Sequence, residues 1–269
     1  HELSTMMQTI SMHDIIEISS EKNPLFENII EITCNNPEIP CGEANLCFKA
    51  AKIFLDYFKI SNKKIIINIE KNIPQAAGLG GGSSDAAEVI KGLNQLLNIN
   101  SEEKYLNELG VKIGADIPFF FKGGLQLAEG IGEILTPQIN ELKYWVVITK
   151  PKLSALSGDI YKIYDKINNA NEIKNKPTTQ SFLKALKGKS DITAHVGNML
   201  SEATESACDD IKIFRDEMIN FGAKAASMSG SGSAVFGLFD DYSNGVVAMN
   251  ILKQKAELSE IYELSYPKK

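Results

Sequence analysis

The sequence has 269 residues, 43% of them hydrophobic and 23% charged, and its formal net charge is −6. An acidic chain of this kind is a poor partner for nucleic acid or an anionic membrane surface, and no apolar run approaches the roughly 20 residues of a membrane helix. The four cysteines lack metal-binding spacing and the first residues carry no export signal, so we expect reduced thiols in a cytoplasmic protein.

Alternating and helically spaced apolar residues divide the first half into strands and helices. The predicted strands cover 14–19, 27–34 and 63–70, and the predicted helices cover 44–60, 83–100 and 102–112. We expect the first two strands to form an antiparallel pair joined by a turn at 21–25. A hairpin through Gly130 and Gly132 follows the segment GADIPFFFKGG.

The second half predicts the element order β-α-β-β-α-β, which is ferredoxin-like. Its members are a strand at 145–150, a helix at 157–167, strands at 223–229 and 234–239, a helix at 242–256 and a strand at 260–266, with extra helices at 180–187 and 198–221. We therefore expect an α+β protein with two domains, 1–144 and 145–269. The cleft between them is the natural place for a substrate.

The stretch between the strand at 63–70 and the helix at 83–100 is unusually rich in glycine, with the sequence KNIPQAAGLGGGSSDAA. Glycine lets the backbone adopt positive φ and approach a ligand, and a helix N-terminus adds N–H groups and the positive end of a dipole. These features predict a phosphate site. The simpler alternative is a turn in which Ser83 caps the helix and Asp85 is a favourable first-turn charge. Neither the P-loop pattern nor the dinucleotide fingerprint fits the spacing.

Two further segments contain candidate functional residues. Asp116 lies among apolar residues that would desolvate its carboxyl and raise its pKa, as a general base requires. The alternative is that Asp116 simply caps a short helix. The stretch SMSGSGS, residues 227–233, predicts a hairpin with a flexible tip.

Three of these segments resemble the motifs of the GHMP kinases. PQAAGLGGGSSDAA is similar to their ATP loop, GADIPFF to the segment with their catalytic aspartate, and SMSGSGS to a glycine-rich loop that faces the first. The resemblance implies a two-domain GHMP kinase fold with an N-terminal nucleotide-binding domain, and ATP with Mg²⁺ as cofactors. The triple glycine and SSDAA are most similar to the branch that phosphorylates the 2-hydroxyl of a cytidine diphosphate derivative of methylerythritol, in non-mevalonate isoprenoid precursor biosynthesis.

The resemblance also implies roles for individual residues. Asp116 would accept the proton of the attacking hydroxyl, and Ser84 is a candidate Mg²⁺ ligand. The ATP contacts would be Asn45, Lys71, Pro74, Gln75, Ala76, Ala77, Gly78, Leu79, Gly80, Gly81, Gly82, Ser83 and Ser84. The substrate contacts would be His1, Ser157, Tyr161, Gly230, Ser231 and Gly232, with His1 and Tyr161 at the cytosine. From the residues alone, the simpler interpretations are that Asn45 is a helix cap, Lys71 a solvated charge and Tyr161 a core residue.

The sequence differs from the family pattern at its start. Family members begin with a strand of pattern Pro-x-Lys-x-Asn, whose lysine lies beside the catalytic aspartate, and no such strand precedes His1. We expect that the natural chain carries this strand and that a chain without it is impaired. Two alternatives stay open: another small-molecule kinase of the homoserine or mevalonate type, and a nucleotide-binding module without turnover. The protein would be a monomer or a homodimer.

Overall fold

The computed structural model describes residues 3–25, 27–139, 142–152, 157–169 and 178–267. The elements of the first half are β1 (Leu3–Gln8), β2 (Ile15–Lys22), β3 (Ile29–Cys34), α1 (Leu46–Tyr57), β4 (Lys63–Glu70), α2 (Gly81–Leu96), α3 (Glu103–Ile113), α4 (Ile117–Lys122), β5 (Leu125–Gly130) and β6 (Ile134–Pro137). Those of the second half are β7 (Trp145–Lys150), α5 (Ser157–Asn169), α6 (Thr179–Lys187), α7 (Ser201–Ala207), α8 (Asp209–Asn220), β8 (Ala225–Met228), β9 (Val235–Phe239), α9 (Tyr242–Lys253) and β10 (Leu258–Glu263).

The first half contains two three-stranded sheets, and the predicted pairing of its first two long strands is wrong. β4 lies between β2 and β3, antiparallel to the first and parallel to the second. The central position suits the sequence of β4, because Ile65, Ile67 and Ile69 are fully buried and the strand has partners on both sides. The other sheet has the order β1-β5-β6 and contains the predicted hairpin.

Helices α1 and α2 pack on each other and, with β4, enclose the core of the first half. Phe54 of α1 and Ile90 and Leu93 of α2 are fully buried there. Ile90 and Leu93 lie on one face of α2, and burial of this face holds the helix beside the sheet.

The second half has the predicted ferredoxin-like topology, with an antiparallel sheet in the order β10-β7-β9-β8. The helices packed on this sheet are α8 and α9, so the assignment of 157–167 as the crossover helix is wrong: α5 packs on α7. The predicted helix 198–221 is also two helices. Cys208 has an extended backbone (φ −152°, ψ 100°), and α8 begins after it with Asp209 and Asp210, acidic residues that favour a helix N-terminus.

The two halves share a cluster of buried apolar side chains. Ala77, just before the first glycine of the glycine-rich stretch, packs in this cluster with Leu125 of β5, Val146 and Ile148 of β7 and Leu238 of β9. The glycine-rich stretch therefore lies where the halves meet. None of the helices described is both long enough and apolar enough to cross a membrane.

Candidate active site

The glycine-rich stretch forms a loop that runs into α2. The helix begins at Gly81, and its N-cap is Gly80, which has φ +69° and offers no side-chain cap. The alternative in which Ser83 caps the helix is thus wrong, because the helix starts two residues earlier. The first N–H groups of a helix have no partner within it, so Gly81, Gly82 and Ser83 present backbone donors at the positive end of α2.

Three glycines in this loop have no room for a side chain: a Cβ on Gly78 would lie 2.2 Å from the Ser229 carbonyl oxygen. A Cβ on Gly80 would lie 2.6 Å from the ring of Phe120 in α4, and a Cβ on Gly81 would lie 2.9 Å from the side chain of Ile73. Gly80 also has the positive φ that other residues rarely adopt. The glycines are therefore needed for the shape of the loop as well as for the approach of a ligand.

The loop lines a cavity of about 360 Å³. Most of the predicted ATP contacts lie in its wall: Asn45, Lys71, Pro74, Gln75, Ala76, Ala77, Gly78, Leu79, Gly80, Gly81, Gly82 and Ser83. Ile39, Pro40 and Leu46 form an apolar wall beside them. A cavity of this size, with an apolar side and a row of backbone donors, has the features of a small-ligand site.

Ser84 and Asn45 are both engaged in local hydrogen bonds. The Ser84 hydroxyl donates to the carbonyl of Gly81 at 2.7 Å, and Ser84 is not part of the cavity wall. The Asn45 side chain accepts from the Cys47 N–H at 2.8 Å and donates to the Pro40 carbonyl at 2.7 Å. Asn45 is therefore the N-cap of α1, as the simpler interpretation predicted, and its backbone position puts it beside the cavity.

The β8–β9 loop lies directly against the first glycine loop. The Ser229 hydroxyl donates to the carbonyl of Gly78 at 2.8 Å, and the Ala234 N–H donates to the carbonyl of Ala77 at 3.0 Å. A Cβ on Gly230 would lie 3.1 Å from the carbonyl oxygen of Gly78. These contacts anchor both ends of the loop, so it is more than the freely moving hairpin tip that composition alone suggests.

Asn198 holds the β8–β9 loop from the other side. Its amide donates to the carbonyls of Met228, at 3.0 Å, and Gly230, at 2.7 Å, while its oxygen accepts from the Leu200 N–H. Gly232 is buried near Thr204 and the Met228 sulfur, and Ser231 is half-buried. Sequence analysis missed Asn198, because it falls at the start of a predicted helix and has no motif around it.

Asp116 stands at the N-cap position of α4 but makes no side-chain capping bond. The side chain is open to solvent on one side, while the surrounding protein partly desolvates the carboxyl and raises its pKa. Burial raises the pKa of the Tyr161 phenol on α5, and the negative charge of Asp116 raises it further. A predicted substrate residue of the second half therefore lies within electrostatic range of the candidate base of the first half.

Lys71 is the centre of a buried group of charges that sequence analysis missed. Its ammonium forms ion pairs with Asp14 and with Asp85, the latter at 2.7 Å, and all three side chains are 6% exposed or less. Burial by itself would lower the pKa of Lys71, but the two carboxylates outweigh it and the pKa is raised. Burial raises the pKa of Asp85, and the ammonium offsets only part of this effect. The interpretations of Lys71 as a solvated charge and of Asp85 as a first-turn charge are both wrong.

Two further predicted substrate contacts are His1 and Ser157. His1 lies outside the described residues. Ser157 is the first residue of α5, and only its backbone is described.

Two family models match the chain: the GHMP kinases N terminal domain over residues 45–124 and the GHMP kinases C terminal model over residues 182–257. The 4-diphosphocytidyl-2-C-methyl-D-erythritol kinase of Clostridium perfringens is 36% identical over 264 residues, covering 97% of this chain and 88% of that protein. The enzyme of the same name from Clostridium novyi is 39% identical over 243 residues, covering 90% and 83%.

Solved structures agree with these matches. A crystal structure of 4-(cytidine 5'-diphospho)-2C-methyl-D-erythritol kinase has a TM-score of 0.79 and 27% identity, covering 98% of this chain and 91% of that one. The L. major mevalonate kinase, solved in complex with R-mevalonate, has a TM-score of 0.77 and 16% identity, covering 99% and 90%, and shows the shared fold alone. Together with relatives above 35% identity along most of its length, these matches show that the chain belongs to the GHMP kinases and is a small-molecule kinase.

Proposed function

We propose that this kinase uses ATP to phosphorylate the 2-hydroxyl of 4-diphosphocytidyl-2-C-methyl-D-erythritol, a step of non-mevalonate isoprenoid precursor biosynthesis. The observation that carries the proposal is the pairing of a glycine-lined cavity at the start of α2 with the Asp116 carboxylate on α4, which packs against α2. Relatives that cover nearly all of this chain are named for this activity.

The triphosphate of ATP would lie on the loop from Pro74 to Ser84. The fit rests on Gly80 and Gly81, where a Cβ would clash with protein already in place, and on the free backbone donors at the positive end of α2. Such donors stabilise negative charge on phosphate without moving during the reaction. Asn45, Lys71 and the apolar wall would border the base and sugar.

Mg²⁺ would be bound largely by the phosphates themselves. In the described part of the chain, no group of three or more His, Cys, Asp or Glu side chains is placed to hold a metal. Few protein ligands are needed, since Mg²⁺ keeps several waters and often binds through substrate phosphates and one or two protein oxygens. Ser83 borders the cavity, and Ser84 would reach the metal only by giving up its bond to Gly81. When bound, the metal supplies charge neutralisation at the transferring phosphoryl group.

Asp116 would accept the proton of the attacking hydroxyl. Among the described residues, none forms a hydrogen bond or ion pair with its carboxylate, so the group is available to a substrate. Its raised pKa makes it a stronger base than an ordinary aspartate. Because phosphoryl transfer depends mainly on position and electrostatics, the role of Asp116 would be to hold the hydroxyl in line with the γ-phosphate as well as to take its proton.

The cytidyl part of the substrate would lie along the second half. Tyr161 offers a half-buried ring near Asp116, suitable for stacking on cytosine. His1 and Ser157 would contribute to the same pocket, and Gly230, Ser231 and Gly232 would contact the substrate from the β8–β9 loop. The domain limits would be 1–144 and 145–269. Cys34, Cys41 and Cys47 form no disulfide, which suits a reducing compartment, and we place the enzyme in the cytoplasm as a monomer or homodimer.

A substrate comparison tests the proposal. ADP release would be measured with the cytidyl substrate, mevalonate and homoserine in parallel, at equal protein concentration. We expect turnover with the cytidyl substrate alone. Turnover with mevalonate or homoserine instead would assign the chain to another branch of the family, and ATP binding without turnover on any of the three would contradict the proposed reaction.

A further inference from the structure

We propose that Asp14 and Asp85 are positioning residues of the ATP site, which act through Lys71 to hold the two ends of the glycine loop together. We call Asp14, Lys71 and Asp85 the ion triad. The proposal deepens the proposed function and rests on it, because the loop is assigned to ATP.

The first contact closes the loop. Lys71 follows the last residue of β4, and Asp85 is the fifth residue of α2, so their 2.7 Å ion pair joins the chain before the loop to the chain after it. Residues 72–84 lie between them. A bond across the base of a loop reduces the number of conformations that the enclosed residues can adopt.

The second contact fixes this closure to the sheet. Asp14 precedes β2, whose first residue, Ile15, pairs with Glu70 at the end of β4, so Asp14 stands opposite Lys71. Its Oδ2 accepts from the Lys71 ammonium, and its Oδ1 accepts from the N–H groups of Asn72 and Ile73, at 2.5 and 2.8 Å. Asp14 thus provides partners for the backbone at the point where β4 ends and the loop begins.

The loop needs such support because its backbone is unfavourable on its own. Gly78 and Gly80 have positive φ, and Ala76 has φ +49° although it is not glycine. A residue held in a sparsely populated region keeps that conformation only when its surroundings impose it. The ion triad supplies this constraint next to the cavity.

The net charge of the ion triad supports a role in positioning the loop and not a role in attracting phosphate. Two carboxylates face one ammonium, so the buried group has no net positive charge to attract phosphate, whether Asp85 is ionised or protonated. Cys47 of α1 packs beside it as a buried, neutral thiol whose pKa is raised by burial. A buried group of charges without a net positive charge is better explained by the geometry that it imposes.

The experiment compares Asp85→Ala, Asp85→Asn and Asp14→Asn with the wild type. The matched control is Glu257→Gln, which removes one carboxylate from the buried Lys150 in the second half. Three quantities are measured: the Kd for ATP by calorimetry, KM for each substrate with kcat, and hydrogen exchange of peptides from 72–84 and, as a reference, from α9.

For Asp85→Ala we expect the Kd for ATP to rise about tenfold, the scale of coupling between contacting residues. Hydrogen exchange should become faster in peptides from 72–84 and stay unchanged in α9. KM for the alcohol substrate should stay the same. Asp85→Asn and Asp14→Asn keep an oxygen that accepts from Lys71 and should recover part of the loss, and they test the proposal if Asp85→Ala does not fold. Glu257→Gln should leave ATP affinity and loop exchange unchanged.

The proposal is overturned if the variants only lower the active fraction, with kcat reduced and both KM values, the Kd for ATP and loop exchange as in the wild type. A wild type that binds ATP but transfers no phosphate would instead remove the proposed function. In that case ATP affinity and exchange still decide whether the ion triad positions the loop.

Discussion

The Ser229 hydroxyl donates a hydrogen bond to the carbonyl of Gly78 at 2.8 Å, and this bond joins two glycine-rich loops that are 151 residues apart in the sequence. One loop precedes α2 in the first half, and the other connects β8 and β9 in the second half. The first glycine loop is therefore flanked by the ion triad on one side and bonded to the second half of the protein on the other.

Removal of this bond should weaken both stability and ATP binding. Ser229→Ala leaves the Gly78 carbonyl without its partner, and we expect a loss of about 1 kcal/mol in the free energy of unfolding, with a higher KM for ATP. Ser190→Ala, which removes a hydroxyl bond to the Ala185 carbonyl of α6 instead, is the control. If both variants change stability alike and neither changes the KM for ATP, the bond does not contribute to the ATP site.

A methyl group at Gly80 should abolish the shape of the phosphate site. Gly80→Ala combines a positive φ, which costs other residues about 1–2 kcal/mol, with a Cβ 2.6 Å from the Phe120 ring. We expect at least about a tenfold loss of ATP affinity, equivalent to about 1.4 kcal/mol. Gly42→Ala is the control, because a Cβ there meets nothing within 4 Å. Equal ATP affinity of the two variants would show that the loop does not bind phosphate.

The raised pKa of Asp116 predicts the pH dependence of catalysis. A general base must be deprotonated, so kcat/KM should fall as the pH drops through the pKa of Asp116, and this fall should occur above the ordinary aspartate value of about 3.9. Asp116→Asn should lower kcat by about a hundredfold to ten-thousandfold and remove this acid limb, with ATP binding kept. An unchanged acid limb in the variant would assign the titration to another group.

Tyr161 should affect the cytidyl substrate and not ATP. Tyr161→Ala removes a stacking face worth about 1–3 kcal/mol, so we expect about a tenfold rise in KM for the cytidyl substrate. Tyr161→Phe keeps the ring and should stay near the wild type, and KM for ATP is the internal reference. A rise in KM for ATP, or equal losses in Tyr161→Phe and Tyr161→Ala, would argue against stacking.

Sequence patterns predicted the elements of the fold well but not all of their partners. The alternation of isoleucines predicted β4, and helical spacing predicted α1 and α9. The pairing of β2 with β3 was wrong because period-two alternation shows which face of a strand is buried and says nothing about which strand lies beside it. β4 is far from β2 in sequence, and its pattern, with one face buried and Asn68 and Glu70 exposed on the other, does not distinguish a central strand from an edge strand.

The sequence predicted the parts of the candidate site that lie in a motif and missed the part that tertiary packing forms. The glycine loop and Asp116 stand in distinctive segments. Asp14 has no motif, and the SSDAA motif does not show which residue Asp85 pairs with. The ion triad exists because the register of β2 on β4 and the start of α2 bring three charges together. One signal was available: Asp85 directly precedes Ala86 and Ala87 on the buried face of α2, where an unpaired carboxylate would be costly.

The most direct test is phosphorus NMR of the products formed from ATP and the cytidyl substrate by the wild type and by Asp116→Asn. We predict a new phosphomonoester on the 2-hydroxyl, equal in amount to the ADP released, in the wild type and almost none in the variant. Release of ADP with inorganic phosphate alone, or equal product from both proteins, would contradict the assignment of the glycine loop and Asp116 to this phosphoryl transfer.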